Sequence, residues 1–237
     1  MAQRIVFLDT ETTGLDAAAG DRIVEIGCVE MVGRRLTGRH LHRHFNPRRS
    51  VHPDALKVHG LTDEFLADKP PFENEAAAVV EFLEGAEVVI HNAAFDTGFL
   101  DAEFSRLGMA PLARLTARVT DSLALAREAY PGKANSLDAL CRRLEVDNRH
   151  RTFHGALLDA ELLAEVYVRM TRGQDSLVID LGQGAGTDGQ GVARADLSRY
   201  ALPVIEPDER ELAAHDQWLQ DLDKSSGGKT VWRAAMA

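Results

Sequence analysis

Cysteine and long apolar runs are both scarce in this chain. Its 237 residues include two cysteines, Cys28 and Cys141, too few for the disulfide framework of a small secreted domain. Cys28 stands in an apolar stretch, which predicts a buried thiol. No apolar run approaches the roughly 20 residues that a membrane-spanning helix needs, and the start of the chain lacks the features of a signal peptide. A cytoplasmic protein is therefore expected.

Positive charge is in deficit. The formal net charge is −10, with 27 lysines and arginines against 37 aspartates and glutamates. This balance argues against a protein that coats nucleic acid generally, but not against an enzyme that grips a strand end through metal ions. The cations are uneven, since one basic segment lies within 34–49 and another within 142–151. These segments could contact phosphates or form ordinary solvated faces.

The apolar pattern predicts an α/β fold. With 45% hydrophobic residues, the chain suits one large domain, or one domain and a tail. Three early strands are predicted as an antiparallel meander, the first at 5–8 and the next two at 22–31 and 36–45. Helices and strands then alternate up to the longest predicted helix, 153–170. This order predicts a mixed central sheet flanked by helices.

The first strand ends in two carboxylates, Asp9 and Glu11. Residues i and i+2 of an extended chain lie on the same side, so both side chains would project together from the end of a central strand. Two like charges there repel and resist burial unless a cation lies between them. Mg²⁺ and Mn²⁺ prefer carboxylate oxygen, so one interpretation is a divalent metal site. The alternative is a solvated strand end with two ordinary acids.

Three later residues extend this pattern. Asp96 follows a predicted strand at 87–91 and a turn, just before a helix predicted from residue 97, so it can lie at the same sheet end. Asp159 lies within the longest helix, and His154 a little over one turn before it. Singly, Asp96 could cap its helix and the others could be surface residues. Together the carboxylates could hold two Mg²⁺ ions about 4 Å apart, and the histidine could take a proton from water. The predicted reaction is metal-assisted phosphodiester hydrolysis.

The composition changes after residue 173. Residues 181–191 are glycine-rich and predict a flexible linker. A helix is predicted over 208–223, with Asp208 as the N-cap and Glu211 as its partner three residues later. Apolar residues on this helix and at the chain end indicate docking onto a partner. The alternative is a tail that folds back onto its own domain.

Three segments carry a resemblance to a known superfamily. They are Asp9-Thr-Glu11-Thr-Thr-Gly14, His91-Asn-Ala-Ala-Phe95-Asp96 and His154-Gly-Ala-Leu-Leu-Asp159. In this order they resemble the exonuclease motifs of the DEDD superfamily, in the subgroup with a catalytic histidine. The resemblance covers roughly the first three quarters of the chain and implies a ribonuclease H-like fold with 3′→5′ exonuclease activity. It also implies two bound divalent ions, Mg²⁺ or Mn²⁺, a general base at His154, and metal ligands at Asp9, Glu11, Asp96 and Asp159.

The same resemblance implies contacts with the terminal nucleotide. His59 lies in segment 58–62, which resembles the loop that meets the 3′ end. Phe95 would pack beneath a base or in the core, and Asn92 would fix its loop or touch substrate. The implied substrate-binding residues are Asp9, Glu11, Thr12, Thr13, Leu15, His59, Asn92, Phe95 and Asp159.

Within the superfamily, the whole chain is most similar to the proofreading-subunit family of bacterial DNA polymerase III. Residues 174–179 resemble the peptide that binds the sliding clamp, with Gln174, Leu177 and Ile179 at contact positions, although an aromatic residue is common where Ile179 stands. Segments within 209–234 resemble the part that binds the polymerase α subunit. Whether a small accessory core subunit also binds stays open. The implied organisation is an exonuclease domain over 1–173, the clamp-binding peptide over 174–179, a flexible linker over 180–196 and a polymerase-binding segment over 197–237.

Three functions compete on this evidence. The first is a replicative proofreader that removes mispaired 3′ nucleotides from DNA while tethered to the polymerase and clamp. The second is a stand-alone exonuclease that trims RNA or single-stranded DNA, which would not need the linker and apolar tail. The third is a module without catalysis that bridges polymerase and clamp, which would not need five titratable groups at one site. The first is favoured.

Overall fold

The computed structural model describes residues 3–148, 153–171 and 207–227. The chain divides into two units, residues 1–180 and 181–237. The predicted clamp-binding residues Gln174, Leu177 and Ile179 lie outside the described residues, as does the predicted linker over 180–196. None of the described helices has the length and apolar character that crossing a membrane requires.

Five strands form the centre of the first unit: β1 Arg4–Thr12, β2 Ile23–Val32, β3 Arg35–His44, β4 Glu87–Ile90 and β5 Arg118–Asp121. They lie in the order β3-β2-β1-β4-β5. The first three strands pair antiparallel, whereas β4 runs parallel to β1 and β5 parallel to β4. This topology confirms the predicted mixed sheet.

Helices flank the sheet and connect its parallel strands: α1 Pro53–His59, α2 Asp63–Ala67, α3 Phe72–Leu83, α4 Ala93–Arg106, α5 Leu112–Leu115, α6 Ser122–Ala129, α7 Leu137–Arg143 and α8 Ala156–Met170. Two starts differ from the prediction. Asn92 adopts a left-handed conformation, with φ 67° and ψ 55°, so α4 begins directly after it and Asp96 lies in the first helical turn. Gly155 is extended, so α8 begins at Ala156 and His154 precedes the helix.

The central strand β1 is buried on both faces. Val6 and Leu8 of β1 pack on one face against a cluster that includes Phe72 of α3 and Phe104 of α4. Phe7 faces the other side and packs with Leu163 and other residues of α8. This explains why the strand reads as a continuous apolar run, since alternate side chains enter different cores. Burying each side chain of this size stabilises the folded state by about 1.5–3 kcal/mol relative to leaving it exposed. Cys28 is also fully buried, as predicted.

Gly27 allows α8 to approach the sheet closely. It lies opposite Asp9 in the β1–β2 ladder. A Cβ at Gly27 would stand 2.2 Å from the backbone carbon of Ala156 and 2.2 Å from the nitrogen of Leu157. Such a distance is sterically forbidden, so the first turn of α8 can lie against β2 only where the strand has no side chain. That turn carries Asp159.

The described part of the second unit is one helix, α9 Glu209–Ser226. The Asp208 carboxylate accepts hydrogen bonds from the backbone N–H groups of Arg210 and Glu211. The Glu211 carboxylate in turn accepts a hydrogen bond from the backbone N–H of Asp208. This capping box confirms the predicted helix start. Three large apolar side chains of the helix are exposed, at Leu212, Trp218 and Leu222.

Candidate active site

The carboxylates collect at one edge of the sheet because of the strand directions. β1, β4 and β5 are parallel, so their C-terminal ends meet at the same edge. Glu11 lies in the last residues of β1, and Asp96 lies one turn into the helix that follows β4. Crevices at the carboxyl ends of parallel strands are common ligand sites in α/β folds. The topology therefore brings residues far apart in sequence to one place.

Glu11, His154 and Asp159 form the centre of this site. Each offers a ligand atom, and these atoms all lie within 4.8 Å of one another. His154 Nδ1 is 3.3 Å from Asp159 Oδ2. The two carboxylate residues are buried, whereas the imidazole is 46% exposed. The site is thus a buried pair of acids with a histidine at its solvent side.

Asp96 joins the site through Thr10 of β1. The Thr10 hydroxyl donates a hydrogen bond of 2.7 Å to Asp96 Oδ1. Burial raises the pKa of Asp96 to about 7, and the hydrogen bond from Thr10 offsets part of that rise. Asp96 is not a member of the 4.8 Å group formed by Glu11, His154 and Asp159. Its carboxylate is therefore held beside the group at the strand end.

Asp9 is less buried than Glu11, the other predicted acid on β1. It faces Gly27 across the ladder and is partly exposed. Burial raises the pKa of the neighbouring Cys28 thiol, and the negative charge of Asp9 adds to that rise. Asp9 likewise stands outside the 4.8 Å group. The structure thus places all four predicted acids at one sheet edge, with two of them in direct reach of the histidine.

The histidine is positioned by the segment after α1. The His154 backbone N–H donates a hydrogen bond of 3.1 Å to the Val58 carbonyl oxygen. The Phe153 ring lies against Gly60, where a Cβ would stand 3.3 Å from the ring. Gly60 has φ 72° and ends α1 in the left-handed conformation that glycine adopts readily. Segment 58–62, the loop predicted to meet the 3′ end, therefore holds the backbone of His154 in place.

A cleft of about 870 Å³ opens beside the cluster. Its wall includes Glu11, so the cleft and the cluster of acids share a residue. Leu15 is 85% exposed at the cleft, and Phe95 lines it while its ring also packs on Phe99 at 4.9 Å between centroids. Arg49 adds a positive charge to the wall. Phe95 thus takes part in both the core and the cleft.

Two of the predicted substrate-binding residues, Thr13 and His59, make hydrogen bonds within the protein through their side chains. Thr13 is fully buried, and its hydroxyl donates to Asp21 Oδ1 at 2.9 Å and accepts from the Arg22 N–H at 3.0 Å. Thr13 is predicted to line the site, and in the structure its hydroxyl supports the turn after β1. His59 lines the cleft, yet its Nδ1 accepts from the Leu61 N–H at 3.0 Å and its Nε2 faces the Thr12 carbonyl at 3.2 Å.

The backbone of Asn92, and not its side chain, makes the hydrogen bond that holds the loop before α4. Its N–H donates to Asp121 Oδ1 at 3.2 Å, and its side chain makes no capping hydrogen bond to α4. Asparagine is enriched in the left-handed conformation that this residue adopts. The interpretation that Asn92 fixes the loop therefore accounts for its place in the motif.

The donor set suits a divalent cation. Buried carboxylates that lie this close together repel one another, and a cation between them removes that cost. Carboxylate oxygens are the ligands that Mg²⁺ and Mn²⁺ prefer. Glu11 and Asp159 meet this requirement directly, and Asp9 and Asp96 stand at the same edge. The residues of the site thus fit a metal-dependent reaction.

We expect Asp96→Asn to stabilise the metal-free protein at alkaline pH. The pKa of Asp96 is about 7 in the folded protein against an ordinary value of 3.8, so the folded protein binds more protons than the unfolded chain between these pH values. Stability contributed by this group falls as pH rises through that window, and above pH 7 the ionised buried group costs on the order of 4 kcal/mol. Thermal melts in EDTA should show a higher midpoint for the variant at pH 8 and a smaller gain at pH 5. An equal gain at both pH values would contradict the assignment.

The family of the chain follows from comparison with known proteins. The profile of the family described as Exonuclease matches residues 6–167. The chain is 50% identical to DNA polymerase III subunit epsilon of Escherichia coli K12, over 98% of each chain. The chain belongs to the DNA polymerase III ε-subunit family. The ε subunit of Pasteurella multocida is 47% identical, over 99% of this chain and 95% of its own.

Solved structures show the same fold at low sequence identity. Exonuclease X in complex with 5′ overhanging duplex DNA superposes with a TM-score of 0.57 and 23% identity, over 72% of this chain and 93% of its own. The nuclease domain of 3′hExo, a DEDDh family member bound to rAMP, gives a TM-score of 0.62 and 15% identity, over 73% and 93%. The exonuclease fold predicted for this ε-family chain is thus confirmed.

Several supporting residues of the site were not predicted. The Thr10 hydroxyl donates a hydrogen bond to Asp96, and the Val58 carbonyl accepts one from the backbone of His154. Gly27 has no side chain, so α8 can pack closely against β2. One signal was available, because a glycine inside an otherwise apolar strand marks a close approach of backbone. The other contacts join residues distant in sequence and leave no local pattern.

Proposed function

We propose that this ε-family chain is a proofreading 3′→5′ exonuclease that removes mispaired terminal nucleotides from DNA within a polymerase III complex. The observation that carries the proposal is the cluster of Glu11, His154 and Asp159 beside the cleft, in a chain 50% identical to an ε subunit. The linker and apolar tail predicted from the sequence favour this function over a stand-alone nuclease that trims RNA.

The proposed roles follow the geometry. Asp9, Glu11, Asp96 and Asp159 would hold two divalent ions, Mg²⁺ or Mn²⁺, at the sheet edge. The bound ions would supply Lewis-acid stabilisation of the oxygens around the scissile phosphate. The family resemblance and the fit of the donor set support this assignment, and a metal titration that showed no binding to the wild-type chain would exclude it.

His154 is the proposed general base. Its imidazole is half exposed beside two buried carboxylates, so it can take a proton from an entering water and return it to solvent. The Val58 carbonyl and the packing of Phe153 on Gly60 fix the backbone that carries it. A base held in this way starts close to its working geometry, which limits the entropy lost in the reaction.

The cleft favours an unpaired strand end. Leu15 and Phe95 offer apolar surface on which a base could stack, and Arg49 offers a charge for a phosphate. A mismatched terminus separates at lower cost than a paired one, so a site that accepts a single strand removes it faster. Tethering to the polymerase raises the local concentration of the site at the primer end, which suits a chain with a net charge of −10.

Loss of activity in two separate treatments tests the nuclease assignment. We expect nucleotide release from a labelled single strand to stop in EDTA, and to fall by about 10²–10⁴-fold in His154→Ala with Mg²⁺ present. His40→Ala is the matched control, because His40 is exposed on β3 and lies outside the cluster. Activity that survives both treatments would exclude the proposed mechanism.

The tail is the proposed link to the polymerase α subunit, and residues 174–179 the proposed clamp-binding peptide. Exposed Leu212, Trp218 and Leu222 on α9 support the first assignment, because such residues often anchor interfaces. We expect deletion of 198–237 to abolish copurification with the α subunit and to leave hydrolysis of free single strands unchanged. Retained copurification would refute the role of the tail and leave the nuclease assignment intact.

A further inference from the structure

A second cluster of metal-binding side chains lies outside the proposed catalytic set. Glu25 of β2 and His42 and His44 of β3 each offer a ligand atom, and these atoms all lie within 4.8 Å of one another. Glu25 Oε1 is 2.6 Å from His42 Nε2 and 3.6 Å from His44 Nε2. None of these residues belongs to the acids and histidine assigned to catalysis.

We propose that Glu25, His42 and His44 bind a transition-metal ion of the Zn²⁺ class. Two imidazole nitrogens and one carboxylate oxygen are a common zinc donor set, whereas Mg²⁺ prefers oxygen ligands alone. Three protein ligands leave the fourth tetrahedral position to water. Zinc bonds of about 2.0–2.2 Å place tetrahedral ligand atoms roughly 3.3 Å apart, so separations of 2.6 and 3.6 Å require only small side-chain shifts.

The sheet holds these donors on one face. Glu25 lies directly opposite His44 in the β2–β3 ladder, and His42 is two residues before His44 on the same side. The two imidazole centroids are 4.8 Å apart, and the Phe65 ring packs edge-on against His44 at 5.2 Å. These contacts restrict the side chains before any ion arrives, so little order is lost on binding.

Burial and access both suit a bound cation. The Glu25 side chain is 6% exposed, and a buried carboxylate requires a partner. The His42 and His44 side chains are 35% and 23% exposed, which leaves a path from solvent to the ligand atoms. A protonated His42 paired with Glu25 is the competing description, and it predicts no bound metal.

The proposed site lies next to the catalytic segment without sharing a ligand with it. Glu25 pairs with Glu11 in the β1–β2 ladder. A Cβ on Gly155, the residue after His154, would stand 4.0 Å from Glu25 Oε1. An ion at this position would link β2 to β3 close to Gly155, and so stabilise the part of the sheet that lies next to the segment carrying His154.

Zinc content of the full-length chain tests the proposal. The wild type, His40→Gln, and the double variant His42→Gln/His44→Gln would be equilibrated with excess Zn²⁺ and Mg²⁺, freed of unbound metal and analysed. His40 is the matched control on the same strand, because it lies outside the cluster. The wild type and the control should each retain one more zinc per chain than the double variant. Equal zinc in all three proteins would overturn the proposal.

A measurement on the wild type covers the case in which the double variant does not fold. The imidazole resonances of His42 and His44 should shift on addition of Zn²⁺ and remain in place on addition of Mg²⁺. The same zinc-induced shifts should persist in Glu11→Gln/Asp159→Asn, which removes the two carboxylates nearest His154. Unchanged His42 and His44 resonances at saturating Zn²⁺ would overturn the proposal.

Discussion

Asp159→Asn is expected to lower Mg²⁺-dependent release of 3′ nucleotides by at least about 10³-fold, or about 4 kcal/mol of transition-state stabilisation. Asp159 is buried, and its carboxylate lies within reach of both Glu11 and His154. An amide of the same size keeps the packing of α8 but lacks the charge that a divalent cation requires. Single-turnover rates on a labelled single strand would measure the loss.

The control for this variant is Glu161→Gln on the same helix. Glu161 is exposed and stands two residues after Asp159, so its substitution makes the same charge change outside the site. We expect a rate within about twofold of the wild type, since isolated surface substitutions are nearly neutral. The Asp159 variant should melt no lower than the wild type in EDTA, because one of several clustered negative charges has been removed. A folded Asp159 variant with near-normal activity would exclude the carboxylate as a metal ligand.

Gly27→Ala is expected to damage both stability and catalysis through a single methyl group. The new Cβ would stand 2.2 Å from backbone atoms of Ala156 and Leu157, which cannot rotate away as a side chain could. Relief requires the first turn of α8 to move off β2, at a cost of about 1–3 kcal/mol or more. That turn carries Asp159, and a displacement of about 1 Å in a catalytic group can cost 10²-fold in rate.

Gly98→Ala is the matched control, and its expected effect has the opposite sign. Gly98 lies inside α4, and a Cβ there would meet nothing within 4 Å. Alanine is favoured over glycine in a helix by about 0.8–1.0 kcal/mol, so this variant should gain stability. Chemical denaturation and the exonuclease rate would be measured for both variants. A Gly27→Ala protein as stable and active as the wild type would contradict the close contact between α8 and β2.

Local sequence signals were enough to predict that the acids of the proposed site lie together at one edge of the sheet. Asp9 and Glu11 follow a run of buried apolar residues, so their place at the end of a central strand could be predicted from alternation alone. The order of the later strands then brought Asp96 to the same edge. These predictions worked because strand patterns and parallel topology both follow from the position of apolar residues.

The supporting contacts could not be predicted in the same way. The start of α4 was placed four residues late, since the left-handed conformation of Asn92 is set by its loop rather than by periodicity. Thr13 was predicted from its motif to line the site for the terminal nucleotide, and the contact between its hydroxyl and the Asp21 carboxylate could not be foreseen. Both features concern polar groups whose partners depend on tertiary structure, and helix or strand patterns carry no information about such partners.

The most direct test of the proofreading function is 3′-end digestion by the purified chain with Mg²⁺. A primer that ends in a mismatch would be compared with the same primer fully paired, each annealed to its template. We predict faster removal of the mismatched nucleotide and loss of that activity in EDTA. Equal, slow removal from both primers together with rapid digestion of RNA would contradict the proofreading function and favour an RNA-trimming nuclease.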